Sequence, residues 1–356
     1  MDTGQSHAVD GVVVQPVSGP SARPLRRGDL ARVRSAHEIL GTLDAAGDLD
    51  RMPFMPEMLP FLGQVHRVSA RADKTCDTVD LTGTSREMEK TVHLTELRCD
   101  GSAHGGCQAG CLLFFKEDWL APAPDADAEA PAPAPGEVEE AAREQLRRLA
   151  EAHTSPAPGV WRCQATAVPK ASRPLTGRHH YLRDITTRNV APRTFLRAMA
   201  INFFDRYQAF SRHRLPRWAW LLGGEEQPVV RGTLSRTPTI SLDLRPGEIV
   251  EVRSREEINA TLDTKQRNRN LWFDREMVRY CGRRFRVVRR VDRLLDEKTG
   301  RMIHTKTPSV ILDGAVCVGD FHQLCPRQDY AFFREIWLKR PDPEPGEATR
   351  PTGDAR

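Results

Sequence analysis

The sequence predicts an α+β chain, mainly β, in which two homologous small SH3-like barrel or β-rich domains are joined by a Pro/Ala linker and a helical connector. Three observations carry this. Two distant segments align at a constant offset of 219 residues through Phe54/Phe273, Glu57/Glu276, Met58/Met277, Gly63/Gly282 and Val68/Val287, which marks an internal duplication. Both segments alternate apolar and polar residues over short runs, the period of a half-buried strand. Both also carry the spacing C-x4-H-x2-C, from Cys99 to Cys107 and from Cys317 to Cys325, followed by an aromatic pair, an acid and Trp-Leu.

Taken in order, residues 1–24 are rich in Gly, Ser and Pro without periodicity and are expected to form a disordered tail. The first repeat, 27–120, opens with a strand at Gly28–Ser35. Ser35 is then an N-cap, with Glu38 completing a capping box before Ile39. Residues 121–160 form a Pro/Ala linker with an exposed helix at 137–152, whose apolar face is too thin for more than loose docking. In the helical connector, 161–244, Leu196, Met199, Phe203, Tyr207 and Phe210 share one stripe. That stripe is expected to pack against the repeats while the arginines face solvent. The second repeat, 246–340, restarts with Gly247–Ser254 and Glu257. Its strand at Phe285–Val291 turns at Glu297–Gly300 into a hairpin partner at Arg301–His304. Residues 341–356 are a second disordered tail. The Gly-acid-apolar opening of each repeat is similar to the first strand of SH3-like barrels, and the repeats are expected to pack as a pseudo-symmetric pair.

Composition narrows the class. The chain has 356 residues, 39% hydrophobic and 28% charged, enough for two or three domains with their own cores. No run approaches a membrane span and no export signal stands out, so the expected location is cytoplasmic. Eight cysteines there read as thiols or metal ligands rather than disulfides. A net charge of +5 is too mild to argue for nucleic acid by itself. No phosphate-binding loop, dinucleotide fingerprint, nucleophile elbow or H-E-x-x-H occurs, which removes support for the common nucleotide, hydrolase and zincin classes.

The chemistry therefore lies with the cysteines and histidines. In the second repeat the expected ligands are Cys281, Cys317, His322 and Cys325. In the first, Leu62 stands where Cys281 stands in the second, so the expected set is drawn from Cys76, Cys99, His104, Cys107 and Cys111, five candidates for four positions. Cys163 has no duplicated partner and reads as a packing residue. Three thiolates with one imidazole form a common structural zinc set. A [2Fe–2S] cluster is the alternative cofactor, since it also accepts Cys with His.

The stretches Arg71–Thr78, Leu97–Cys107 and Leu271–Met277 resemble a group of bacterial proteins with a duplicated Cys/His-containing domain and no assigned activity. The resemblance covers both repeats and parts of the connector, and it implies no substrate, cofactor or reaction.

The expected function is a zinc-binding scaffold or accessory to other macromolecules, most simply another protein. The rivals are an iron–sulfur redox or electron-transfer component, and a nucleic-acid or anionic-membrane binding module acting through the basic, aromatic connector. No catalytic residue stands out.

Overall fold

The computed structural model of the protein describes residues 23–79, 85–124, 136–177 and 179–341; nearly all of both expected tails and most of the Pro/Ala run lie outside them. The chain is mixed helix and sheet, mostly β. The first unit comprises β1 (Leu30–Val33), α1 (Ala36–Leu40), β2 (Asp48–Leu49), β3 (Met52–Pro53), a 3-10 turn (Pro56–Phe61), β4 (Val65–Arg71), β5 (Lys74–Cys76), β6 (Ser85–Glu87), β7 (Thr91–Arg98), β8 (Leu112–Lys116) and β9 (Leu120–Pro122). The connector carries α2 (Glu137–Ala152), α3 (Gln164–Ala171), β10 (Arg173–Pro174), α4 (His179–Thr186) and α5 (Pro192–Arg214). The second unit follows with β11 (Ile249–Val252), α6 (Arg255–Asn259), β12 (Arg267–Asn268), β13 (Leu271–Trp272), a 3-10 turn (Arg275–Tyr280), β14 (Arg284–Leu295), β15 (Met302–Val316), β16 (Tyr330–Arg334) and β17 (Leu338–Lys339).

Each unit holds a five-stranded antiparallel sheet, ordered β8-β7-β4-β1-β9 in the first and β16-β15-β14-β11-β17 in the second. The registers match residue for residue: Leu30 pairs Arg67 as Ile249 pairs Arg286, and Val92 pairs Phe115 as Val310 pairs Phe333. Each central strand has a bulge at the same place, after Val68 and after Val287. Such a bulge increases local twist and bends the strand.

Local chemistry explains the shared details. The Ser35/Glu38 and Ser254/Glu257 capping boxes form on α1 and α6 and satisfy N–H groups left open at each helix start. One tryptophan anchors each core. Trp119 meets Phe54 edge-on at 5.4 Å and donates to Thr42 Oγ1; Trp337 meets Phe273 at 5.1 Å and donates to Thr261 Oγ1.

The connector departs from expectation twice. α2 is not loosely docked: Ala142 and Leu146 join the first unit's core, and Glu139 accepts a 2.7 Å hydrogen bond from Ala36 N–H at the start of α1. α5 turns the other way, leaving Leu196, Phe203 and Phe210 exposed while Ala198, Gln208 and Ser211 are buried.

Two arms join the units. β14 and β15 extend past their sheet as a hairpin to Leu295 and Met302, and Gln108 of the first unit accepts from Asp292 and Arg293 N–H on that arm. In the other direction β5 and β6 carry Cys76 to the second unit. At the seam the buried Arg327 donates to Thr78 Oγ1 and Glu297 Oε1 and pairs with Asp329 at 2.9 Å.

Candidate metal centres

Each C-x4-H-x2-C loop begins where a central strand ends, Cys99 after β7 and Cys317 after β15. The returning segment holds the loop closed: Cys99 N–H donates to Cys111 O at 2.9 Å, and Cys317 N–H to Asp329 O at 2.8 Å. The turn itself needs glycine. Gly101 and Gly319 both have φ +78°, and a Cβ would lie 2.0 Å from Cys107 O in the first and 2.6 Å from Cys325 N in the second. The same turn directs Gly101 N–H to Cys99 Sγ and Gly319 N–H to Cys317 Sγ, hydrogen bonds that favour thiolate against the larger opposing effect of burial.

The histidines fold back onto the cysteines. His104 Nε2 lies 3.1 Å from Cys99 Sγ, and its Nδ1 lies 3.0 Å from Glu57 Oε1. Ligand atoms of Glu57, Cys99 and His104 all fall within 4.8 Å of one another, as do those of Glu276, Cys317 and His322. In the second unit the imidazole takes a different carboxylate, with His322 Nε2 3.1 Å from Asp274 Oδ2. Met55 occupies the corresponding position of the first unit. Burial lowers the His104 pKa and so favours the neutral imidazole that ligates metals, whereas the Asp274 hydrogen bond raises that of His322. A carboxylate on the far ring nitrogen is the usual way a metal-binding histidine is oriented. Glu57 Oε2 and Glu276 Oε2 are buried without a hydrogen-bond donor among the described residues, an arrangement that a nearby cation offsets.

The remaining thiols are exchanged relative to the sequence expectation. Cys76 belongs in space to the second loop: its N–H donates to Cys325 Sγ at 3.1 Å across 249 residues of chain. The Cys76 thiol also bonds to Cys325, which raises Cys76 well above the ordinary thiol range and lowers Cys325. The matching contact in the first unit comes from Leu295, whose N–H approaches Cys107 Sγ at 3.4 Å, so the arm there brings no thiol. The connector brings one instead. Cys163, at the N-cap of α3, lines a cavity of about 30 Å³ with Cys99, His104, Cys107, Cys111 and Glu297. Burial pushes the Cys163 thiol up to about 11, although N–H groups of Thr166 and Ala165 at the start of α3 act in the opposite direction. Burial likewise raises Cys111, which sits where the second unit has Asp329.

Cys281 is in neither group. It follows the 3-10 turn, is half-buried, and has Glu256 and Arg255 as its charged neighbours; burial raises it to about 11. It packs against the apolar core of the second unit.

Residue spacing did not single out Cys163, Glu57, Asp274 or Glu276 as site residues. For Glu57 and Glu276 there was a usable signal, an acid repeated at the 219-residue offset within apolar surroundings. For Cys163 and Asp274 there was none, because neither has a duplicated counterpart. The described residues thus bring seven of the eight cysteines into two groups: Cys99, Cys107, Cys111 and Cys163 with His104, and Cys76, Cys317 and Cys325 with His322. Soft sulfur donors with one imidazole suit zinc or an iron–sulfur centre and have little affinity for magnesium or calcium. Comparison with protein-family models, curated proteins and solved structures finds no match for this chain.

Proposed function

We propose that this protein is a zinc-organised accessory or scaffold protein of the cytoplasm, in which two homologous SH3-like units are fastened together by their metal centres. Cys99, His104, Cys107 and Cys163 form the first ligand set, with Glu57 orienting the imidazole and Cys111 lining the same cavity as a packing residue. Cys76, Cys317, His322 and Cys325 form the second, with Asp274 in the orienting role. The observation that carries the reading is the completion of each C-x4-H-x2-C loop by a cysteine from elsewhere in the chain, Cys163 for one and Cys76 for the other. Two closed sets of three thiolates and one imidazole leave no open position for substrate, which is the character of structural zinc. No reaction is assigned.

A second reading has its own support at the first centre. Four thiols surround one cavity, yet no three of them fall within 4.8 Å of one another among the described residues. A [2Fe–2S] cluster spreads its ligands more widely than a single ion does, because they are shared between two irons. The cavity favours zinc, since about 30 Å³ holds little more than one or two water-sized bodies. Anaerobic purification with elemental analysis and a visible spectrum decides between them. Colourless protein with two zinc ions per chain is expected. Brown protein with iron and acid-labile sulfide replaces zinc by a cluster, and metal-free protein that stays folded removes both.

A further inference from the structure

The helix α5 is inside out. Leu196, Phe203 and Phe210 recur every seven residues, so they lie on one face, and they are 68%, 75% and 56% exposed. The opposite face is polar and turned inward. Gln208 donates to Leu221 O and Glu225 O, Asp205 pairs with Arg275 at 2.9 Å, and Ser211 is fully buried. A surface helix ordinarily does the reverse. The chain then hooks back through Trp218, Leu221 and Leu222, all exposed, with Trp218 at 87%. Between Pro192 and Trp220 there are six arginines and a single carboxylate, Asp205, which is already paired. Arg193, Arg206 and Arg214 are exposed beside the apolar stripe.

We propose that this face is a docking surface for an anionic lipid bilayer, with Leu196, Phe203 and Phe210 entering the headgroup boundary and Arg193, Arg206 and Arg214 holding lipid phosphates and carboxylates. Three features select this occupant. A second copy of the face would set Arg193, Arg206 and Arg214 against the same three arginines. Nucleic acid has stacking partners in Phe203 and Phe210 but gives Leu196 nothing to bury. The exposed side of a single helix is convex, so a protein partner must supply the whole groove, whereas lipid headgroups part around it. Exposed apolar residues flanked by arginine are the two signals that interfacial helices combine, and arginine stems can lie along the apolar zone while their heads stay in water. No helix among the described residues is long and apolar enough to cross a membrane, so the docking is peripheral.

The test uses the full chain and vesicles of phosphatidylcholine with or without phosphatidylserine, read by flotation and by tryptophan emission. Wild type is expected to float with the anionic vesicles alone, and Phe203→Trp is expected to shift its emission to the blue when those vesicles are added. Phe203→Ser with Phe210→Ser, and separately Arg193→Glu with Arg206→Glu and Arg214→Glu, are each expected to weaken binding by at least about tenfold. These side chains are exposed, so unchanged thermal unfolding confirms that the variants fold. The proposal is overturned if wild type ignores anionic vesicles at low salt, if neutral vesicles bind equally well, or if the phenylalanine pair makes no difference. Tighter binding to RNA or to an acidic helical peptide than to vesicles overturns it as well.

Discussion

Replacing Cys163 and Cys281 by alanine, one at a time, separates ligation from packing. Cys163 is buried and Cys281 half-buried, and each packs against its own unit's apolar core, so packing alone separates them only modestly. Losing one buried sulfur from a well-packed site costs about 1 kcal/mol, comparable to a methylene. Losing a ligand is a larger event, because zinc contributes on the order of 10–16 kcal/mol of apparent binding free energy in small structural sites. Cys163→Ala leaves the first set with three donors, and expected losses are one metal equivalent and at least about 3 kcal/mol of unfolding free energy. Cys281→Ala is expected to keep both metals and to lose about 1 kcal/mol. Metal content by mass spectrometry after gel filtration, with denaturant unfolding of the same samples, gives both quantities. If Cys163→Ala keeps two metals while Cys281→Ala drops to one, the grouping drawn from the structure is refuted and the ligand set expected from spacing alone is restored.

Three further outcomes are expected. Cys76→Ser, a change in the first unit, should release metal from the second centre and leave the first loaded; cobalt substitution, read through thiolate charge-transfer bands, distinguishes the two, and loss at the first centre counts against the crossover. Burial lowers the His93 imidazole from 6.5 to about 4, with its Nδ1 held by Leu113 O. Between those pH values the unfolded chain binds a proton that the folded chain refuses, so His93 costs nothing above pH 6.5 and removes roughly 3 kcal/mol of stability by pH 4. His93→Phe should flatten that part of the acid-unfolding profile, and an unchanged slope contradicts the assignment. Arg327→Met removes the buried cation between Glu297 and Asp329, leaving Asp329 with Arg98 alone, and should destabilise by about 3 kcal/mol in urea titrations; a loss under about 1 kcal/mol means that the seam carries little of the stability.

What could be read from the sequence was local. The Ser35/Glu38 and Ser254/Glu257 boxes involve partners three residues apart, and the hairpin from β14 to β15 is set by its own turn, so both were recoverable from short windows. The C-x4-H-x2-C loops belong to the same kind, since Gly101 and Gly319 close them within nine residues. The fourth thiol was a different problem. Cys76 and Cys325 meet only because two arms cross between the units, and no spacing rule reports a contact over 249 residues. The α5 stripe failed for another reason: periodicity identifies an apolar face, but it does not say whether that face points inward.

The crossing arm also sets an order of events during synthesis. At about 5–20 residues per second, Cys325 leaves the ribosome roughly 12 to 50 s after Cys76. For that interval the first unit carries an unmatched thiol on an extended hairpin, open to oxidants, to chaperones and to whichever soft metal arrives first. The segment around Cys325 therefore acts as a latch, and a nascent protein stalled before Cys317 presents a Cys76 thiol that lacks the partner it later meets.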